Sequence, residues 1–364
     1  MRPASNSDTA RANQAFSPSR PRVILAPVFA LDQIFPLART CAALLLVLLV
    51  TPAVEGATRG SARPGPRSPI WSGQAPPRNL QFQALPLERS KQNHLLVRAF
   101  INGKPALLGV DSGAPVSAIA LNRVQHYGVT PARAGAEIPT RLRINGTFNS
   151  VVTAKNLRLG SLNLVDEPMV AIDLGGSSRA AKVMNEQAID GIIGADILFP
   201  TEAVLDCQAQ ILTLKIDPSA RGQAPGTNYR GFTKVPMQLS SGYNLYVDSR
   251  VNGKRAKLLV DSGAFSTLLH RRFVRGLKIP LRNTAFTSAG VNLKRRGVQL
   301  ATVSQLSIGS LELRKREVGV IDLEGLIRDG LLDANPPVAG LLGSEILRRH
   351  NGIIDFGTKT LYLR

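Results

Sequence analysis

Two cysteines, one tryptophan and four histidines are all that this 364-residue chain has of the residues that staple small folds or bind transition metals. A disulfide framework needs cysteine pairs. Cys41 belongs to an apolar leader, which leaves Cys207 alone. Cys207 follows Ala203-Val204-Leu205 with no histidine near it in sequence, so a passive buried thiol is expected. The histidines lack ligand spacing, and neither a metal nor another cofactor is expected. Aromatic residues are scarce at 5%, whereas Gly, Val, Ile and Leu abound, which favours short strands and tight turns. With 44% apolar residues the chain can build cores, so wholesale disorder is excluded. Acidic residues are outnumbered by Lys and Arg, 25 to 45. The cations are distributed along the chain, which suits a solvated basic surface compatible with contact to an anionic envelope surface. No nucleic-acid partner is expected.

No apolar run approaches the roughly 20 residues of a comfortable membrane span. The longest, Ala42 to Val50, follows Arg39 and precedes the small residues Val54 and Gly56. This is the length and setting of a signal-peptide core. Residues 1–56 therefore read as a signal peptide or N-terminal anchor, and export to the periplasm, cell envelope or exterior is expected. In residues 57–82, prolines alternate with Arg59, Arg63, Arg67 and Arg78. That composition builds no core and reads as an extended tether.

Beyond the tether the chain repeats itself. Ile101-Asn102-Gly103-Lys104 recurs as Val251-Asn252-Gly253-Lys254, and Val110-Asp111-Ser112-Gly113-Ala114 as Val260-Asp261-Ser262-Gly263-Ala264, 150 positions on. After one deletion, Gly191-Ile192-Ile193-Gly194 matches Gly340-Leu341-Leu342-Gly343, and Leu205-Asp206 matches Ile354-Asp355. A register held over such a length implies a duplicated domain. The duplicated units are residues 83–217 and 233–364, joined by a linker at 218–232. Strand signals dominate both, with hairpins turning at Asn102-Gly103 and Asn252-Gly253. Short helices are expected around Leu121–Tyr127, Leu269–Arg275, Ala195–Phe199 and Ser344–His350.

Each unit sets Asp-Ser-Gly directly after an apolar strand. A carboxylate placed there is costly unless something uses or satisfies it. A single Asp-Ser-Gly is usually an ordinary turn, with Asp capping its own backbone; a matched pair is another matter. Asp-Ser-Gly-Ala after an apolar strand, followed later by Ile192-Ile193-Gly194 or Leu341-Leu342-Gly343, resembles the retropepsin-like aspartic proteases.

The resemblance implies an all-β protein: two tandem retropepsin-like β-barrel lobes related by a pseudo-twofold axis, with the two Asp-Ser-Gly loops meeting. It implies a catalytic pair, Asp111 and Asp261, sharing one proton and activating a water. Ser112, Gly113, Ala114, Ser262, Gly263 and Ala264 support the pair, while Gly194 and Gly343 pack beneath the loops. A monomeric endopeptidase acting on a peptide or protein substrate follows. The rival reading is a catalytically silent binding protein that uses the inter-lobe cleft or basic surface. Asp190, Asp196 and Glu345, beside the downstream glycines, are expected to be helix caps or surface charges. Candidate flaps lie at Arg143–Thr147 and Thr287–Gly290.

Overall fold

The computed structural model describes residues 49–50, 81–132, 141–144, 147–217, 229–240, 242–289, 296–328 and 330–364. Nearly all of the leader, the tether and residues 218–228 of the linker lie outside these.

Each lobe is a closed six-stranded barrel. In the first, Leu95–Ile101 and Lys104–Val110 form a hairpin. Lys104–Val110 runs parallel to Gly191–Ile193, which pairs in turn with Ala118–Ala120. Leu162–Ile172 and Thr147–Leu159 continue the round, and the latter returns to Leu95–Ile101. The second lobe closes the same circuit with Leu245–Val251, Lys254–Val260, Gly340–Leu342, Leu268–His270, Leu311–Ile321 and Arg296–Ile308. Closure leaves each barrel without an exposed edge and fills it with inward-facing side chains. The hairpin turns are as expected from Asn-Gly: Asn102 and Gly103 have φ of 49° and 79°, Asn252 and Gly253 48° and 80°.

A six-stranded antiparallel sheet joins the lobes. Its order is Phe82–Arg89, Ile211–Lys215, Val204–Asp206, Ile353–Asp355, Thr360–Leu363 and Thr233–Leu239. At its centre Leu205 pairs with Ile354, with Val204 opposite Asp355 and Asp206 opposite Ile353. These are the residues matched by the repeat, so the pseudo-twofold axis passes through the Leu205–Ile354 pair. Apolar side chains from both barrels and this sheet form one continuous core.

The short helices differ from expectation in detail. Leu121–Arg123 is a 3-10 turn leading into α-helix Val124–Tyr127, and Leu269 belongs to a strand, so that helix is Arg271–Gly276. Helices Gly175–Val183 and Glu324–Arg328 were not anticipated. The candidate flap stretches fall on hairpins, Arg141–Ile144 with Thr147–Leu159 and Arg282–Ala289 with Arg296–Ile308. Their tips, 145–146 and 290–295, lie outside the described residues. Leu49 and Val50, the end of the apolar run, pair with Ala289 and Ser288.

Candidate active site

The strands Lys104–Val110 and Lys254–Val260 end at the lobe boundary, and each delivers its aspartate there. Asp111 N–H donates to the Ile193 carbonyl (3.0 Å), and Asp261 N–H to the Leu342 carbonyl (3.0 Å). Both aspartates are buried, 2% and 0% exposed. Each carboxylate is first held by its own loop. Gly113 N–H donates to Asp111 Oδ1 at 2.8 Å, and Gly263 and Ala264 N–H donate to Asp261 Oδ1 at 2.9 Å each.

The serines tie the loops together. Ser112 N–H donates to Ser262 Oγ and Ser262 N–H to Ser112 Oγ, both at 2.9 Å. Each hydroxyl then donates across the boundary, Ser112 to the Val260 carbonyl and Ser262 to the Val110 carbonyl, again at 2.9 Å. Four buried bonds thus fix one loop against the other, and loss of either hydroxyl would orphan groups on both sides.

This clamp brings the carboxyl groups together. Each lies against the opposite lobe's loop: a Cβ on Gly113 would stand 2.7 Å from Asp261 Cγ, and one on Gly263 closer still to Asp111 Cγ. Each Oδ2 is buried and takes no donor from the protein. Burial raises Asp111 to about 6, opposed by the Gly113 N–H and the Asp261 side chain. Burial, and then the charge of Asp111, holds Asp261 well above the ordinary carboxylate range. Two buried carboxyls placed so near each other disfavour ionisation of both at once.

The downstream glycines lie under the loops. A Cβ on Gly194 would come within 2.7 Å of the Ala114 carbonyl oxygen and 2.6 Å of the Val116 backbone, and one on Gly343 would overlap the Ser266–Thr267 backbone. Gly194 N–H donates to Ser117 Oγ (3.0 Å) and Gly343 N–H to Thr267 Oγ1 (3.1 Å).

The neighbouring acids, expected to be helix caps or surface charges, take backbone donors from distant strands, and Asp196 also accepts the Ile197 N–H at its helix start (3.0 Å). Asp196 receives both the N–H and the hydroxyl of Ser117 at 2.7 Å, and Glu345 receives the Thr267 N–H at 2.7 Å. Both are locks on the strand after the Asp-Ser-Gly loop. Burial raises both, Asp196 to about 6, against the opposing Ser117 and Thr267 donors. Asp190 is buried, accepts the Leu107 N–H and pairs with Arg123 Nε at 2.6 Å. Asp190 is buried, whereas Asp196 and Glu345 are partly buried and held by backbone donors from strands remote in sequence. Cys207 is buried, and its thiol is pushed up to about 12.

Two polar neighbours of the site escaped sequence reasoning. His94 is buried and lies against the Gly263 backbone of the opposite lobe. Burial lowers it to about 4, opposed by the Gly263 backbone, so the imidazole is neutral. Ser344 Oγ donates to the Ser262 carbonyl at 2.7 Å, where the first lobe has Ala195. The available signal was positional: His94 matches Asn244 in the repeat, and both are polar residues opening a buried strand.

Among the described residues, no group of three or more His, Cys, Asp or Glu is placed to hold a metal ion. No helix among them is long and apolar enough to cross a membrane. The aspartyl protease family model matches residues 97–197 and again 247–346, together more than half of the chain. No curated protein matches the chain significantly.

Proposed function

The chain belongs to the aspartyl protease family, and we propose that it is an exported, single-chain endopeptidase whose two lobes contribute one aspartate each to one site. The observation that carries this reading is the pair of buried Oδ2 atoms, left without protein donors while both Oδ1 atoms are held. A water between such oxygens meets an ionised carboxylate that takes its proton. The other carboxyl, still protonated, polarises the scissile carbonyl. As the water oxygen bonds to the carbonyl carbon, its proton passes to the carboxylate and the carboxylic proton moves towards the carbonyl oxygen. Collapse of the tetrahedral species breaks the C–N bond and protonates the amine. The site ends with one proton, as it began. A silent binding protein would have no use for two buried carboxyls that oppose each other's ionisation. Hydrolysis of a peptide library should be abolished by a transition-state mimic carrying a hydroxyl at the scissile position. Undiminished hydrolysis at saturating inhibitor would exclude the mechanism.

The pH window follows from the same groups. Activity needs one carboxyl ionised and one protonated, so it rises as pH passes the lower apparent pKa and falls past the higher. With Asp111 at about 6 and Asp261 raised, the window lies at mildly acidic to near-neutral pH. Ala114 and Ala264 are fully buried beside the carboxylates and bring no hydroxyl. Changing both to Ser adds donors that favour the charged forms. The acid limb should then move down by about one pH unit, since a bond to a charged group is worth about 1.5–3 kcal/mol. A wild-type optimum at strongly acid pH, or an unmoved limb in the double variant, would contradict this account.

Export rests on the Ala42–Val50 run and the small residues after it. Protein recovered outside the cytoplasm should begin near Ala57 on N-terminal sequencing. Recovery with the run intact in the membrane fraction would point to an anchor instead.

A further inference from the structure

The duplication supplies an internal control, because each lobe shows what the barrel needs in order to fold. The charge of the two lobes differs sharply. Lys and Arg number 13 against 12 acidic residues in 83–217, but 21 against 10 in 233–364. Part of the excess is gathered at one end of the second barrel. Arg250 and Arg255 stand where the first lobe has Phe100 and Pro105, and Arg272, Arg275 and Lys278 replace Asn122, Gln125 and Gly128. All five cations are exposed. Since the same strands and helix form in the first lobe without them, the fold does not require them.

Two of these placements work against stability. Arg250 lies directly opposite Arg255 across the hairpin, as Phe100 lies opposite Pro105 in the first lobe. Like charges facing across strands are unfavourable. Lys278 has φ of 54° where the first lobe has Gly128 at 62°, a left-handed conformation that resists a side chain. Arg272 pairs loosely with Glu324, at 3.8 Å and itself half exposed. The hairpin and helix adjoin at Lys254, whose Nζ lies 5.9 Å from the Phe273 ring and 3.6 Å from where a Gly276 Cβ would stand.

We propose that this end of the C-terminal lobe docks the protein on an anionic lipid surface. Phosphate-bearing headgroups present a plane of negative charge, and spread cations need no shaped pocket to meet it. A single-stranded nucleic acid fits less well, because stacking platforms are wanted and no aromatic residue is among the exposed large hydrophobics of the described chain. The docking end faces away from the cleft. Arg255 is six residues before Asp261 along one strand, about 20 Å at 3.3 Å per residue, so the bound protein would keep its site open.

The test is flotation of the full chain with phosphatidylcholine vesicles and with vesicles also containing phosphatidylglycerol. The triple variant R250E/R255E/R275E runs beside the wild type. Binding should need phosphatidylglycerol, weaken with added salt, and fall at least about 100-fold in the variant, at about fivefold for each cation lost. Residual binding to phosphatidylcholine should be equal in both proteins. Unchanged circular dichroism checks folding, and R250Q/R255Q/R275Q replaces the variant if charge reversal prevents it. Wild-type binding by the variant, no preference for phosphatidylglycerol, or displacement from vesicles by single-stranded DNA at lower concentration would each overturn the proposal.

Discussion

Asp111→Asn and Asp261→Asn should each lower peptide hydrolysis by at least about 1000-fold, some 4 kcal/mol of barrier, while making the protein more stable at pH 7. The loss follows from the division of labour. The amide can neither accept the water's proton nor pass one to the carbonyl, and the remaining carboxyl cannot do both. The gain follows from linkage. Both carboxyls are raised in the folded state, Asp111 to about 6 and Asp261 also well above the carboxylate range. Below about pH 3.9 the folded and unfolded chains are both protonated, and burial carries no ionisation penalty. Above it the unfolded chain releases its protons first, so stability falls as pH climbs towards the folded values. Asparagine does not titrate, and its N–H can donate to the opposing Oδ2. Each variant should therefore gain about 1–3 kcal/mol at pH 7, a rise of a few degrees in Tm, and little at pH 4. The check is turnover together with thermal melts at both pH values. One single variant with near-wild-type turnover would end the shared-pair mechanism.

Gly113→Ala and Gly263→Ala should both be strongly damaging while leaving every titratable group in place. A Cβ on Gly113 would stand 2.7 Å from Asp261 Cγ, 2.8 Å from Oδ1 and 3.0 Å from Oδ2. A Cβ on Gly263 would overlap the Asp111 carboxyl group still more closely. Neither glycine has a positive φ, so the obstacle is close approach and not backbone conformation. Each methyl group would force apart the loops that the serines hold together. Overpacking of this kind costs about 1–3 kcal/mol of stability. Displacing a reacting carboxyl by even about 1 Å costs about 100-fold in rate. The control is Gly109→Ala on the strand leading to Asp111, where a Cβ meets nothing nearer than 3.9 Å and the second lobe carries Leu259. That variant should keep activity and stability. Active Gly113→Ala and Gly263→Ala proteins, or a dead Gly109→Ala, would show that the carboxyls are not packed as described.

The sequence by itself determined the duplication, because the 150-residue register repeats hairpins, Asp-Ser-Gly and the downstream glycines in one order. It determined the Asn-Gly turns as well, since left-handed φ is a property of those residues. The chemistry of the candidate site was legible as two carboxylates that a core-bound strand has no other reason to end on. Helices Gly175–Val183 and Glu324–Arg328 were not legible, being short elements whose form is decided by packing. Only the tertiary structure decided that Gly113 abuts Asp261 and Gly263 abuts Asp111, because contact across a pseudo-twofold axis leaves no local trace. It alone gave Asp190, Asp196 and Glu345, expected as helix caps or surface charges, their backbone donors from distant strands, and placed His94 beside Gly263. Burial and hydrogen-bond partners are properties of the assembled barrels, set by strands distant in the chain.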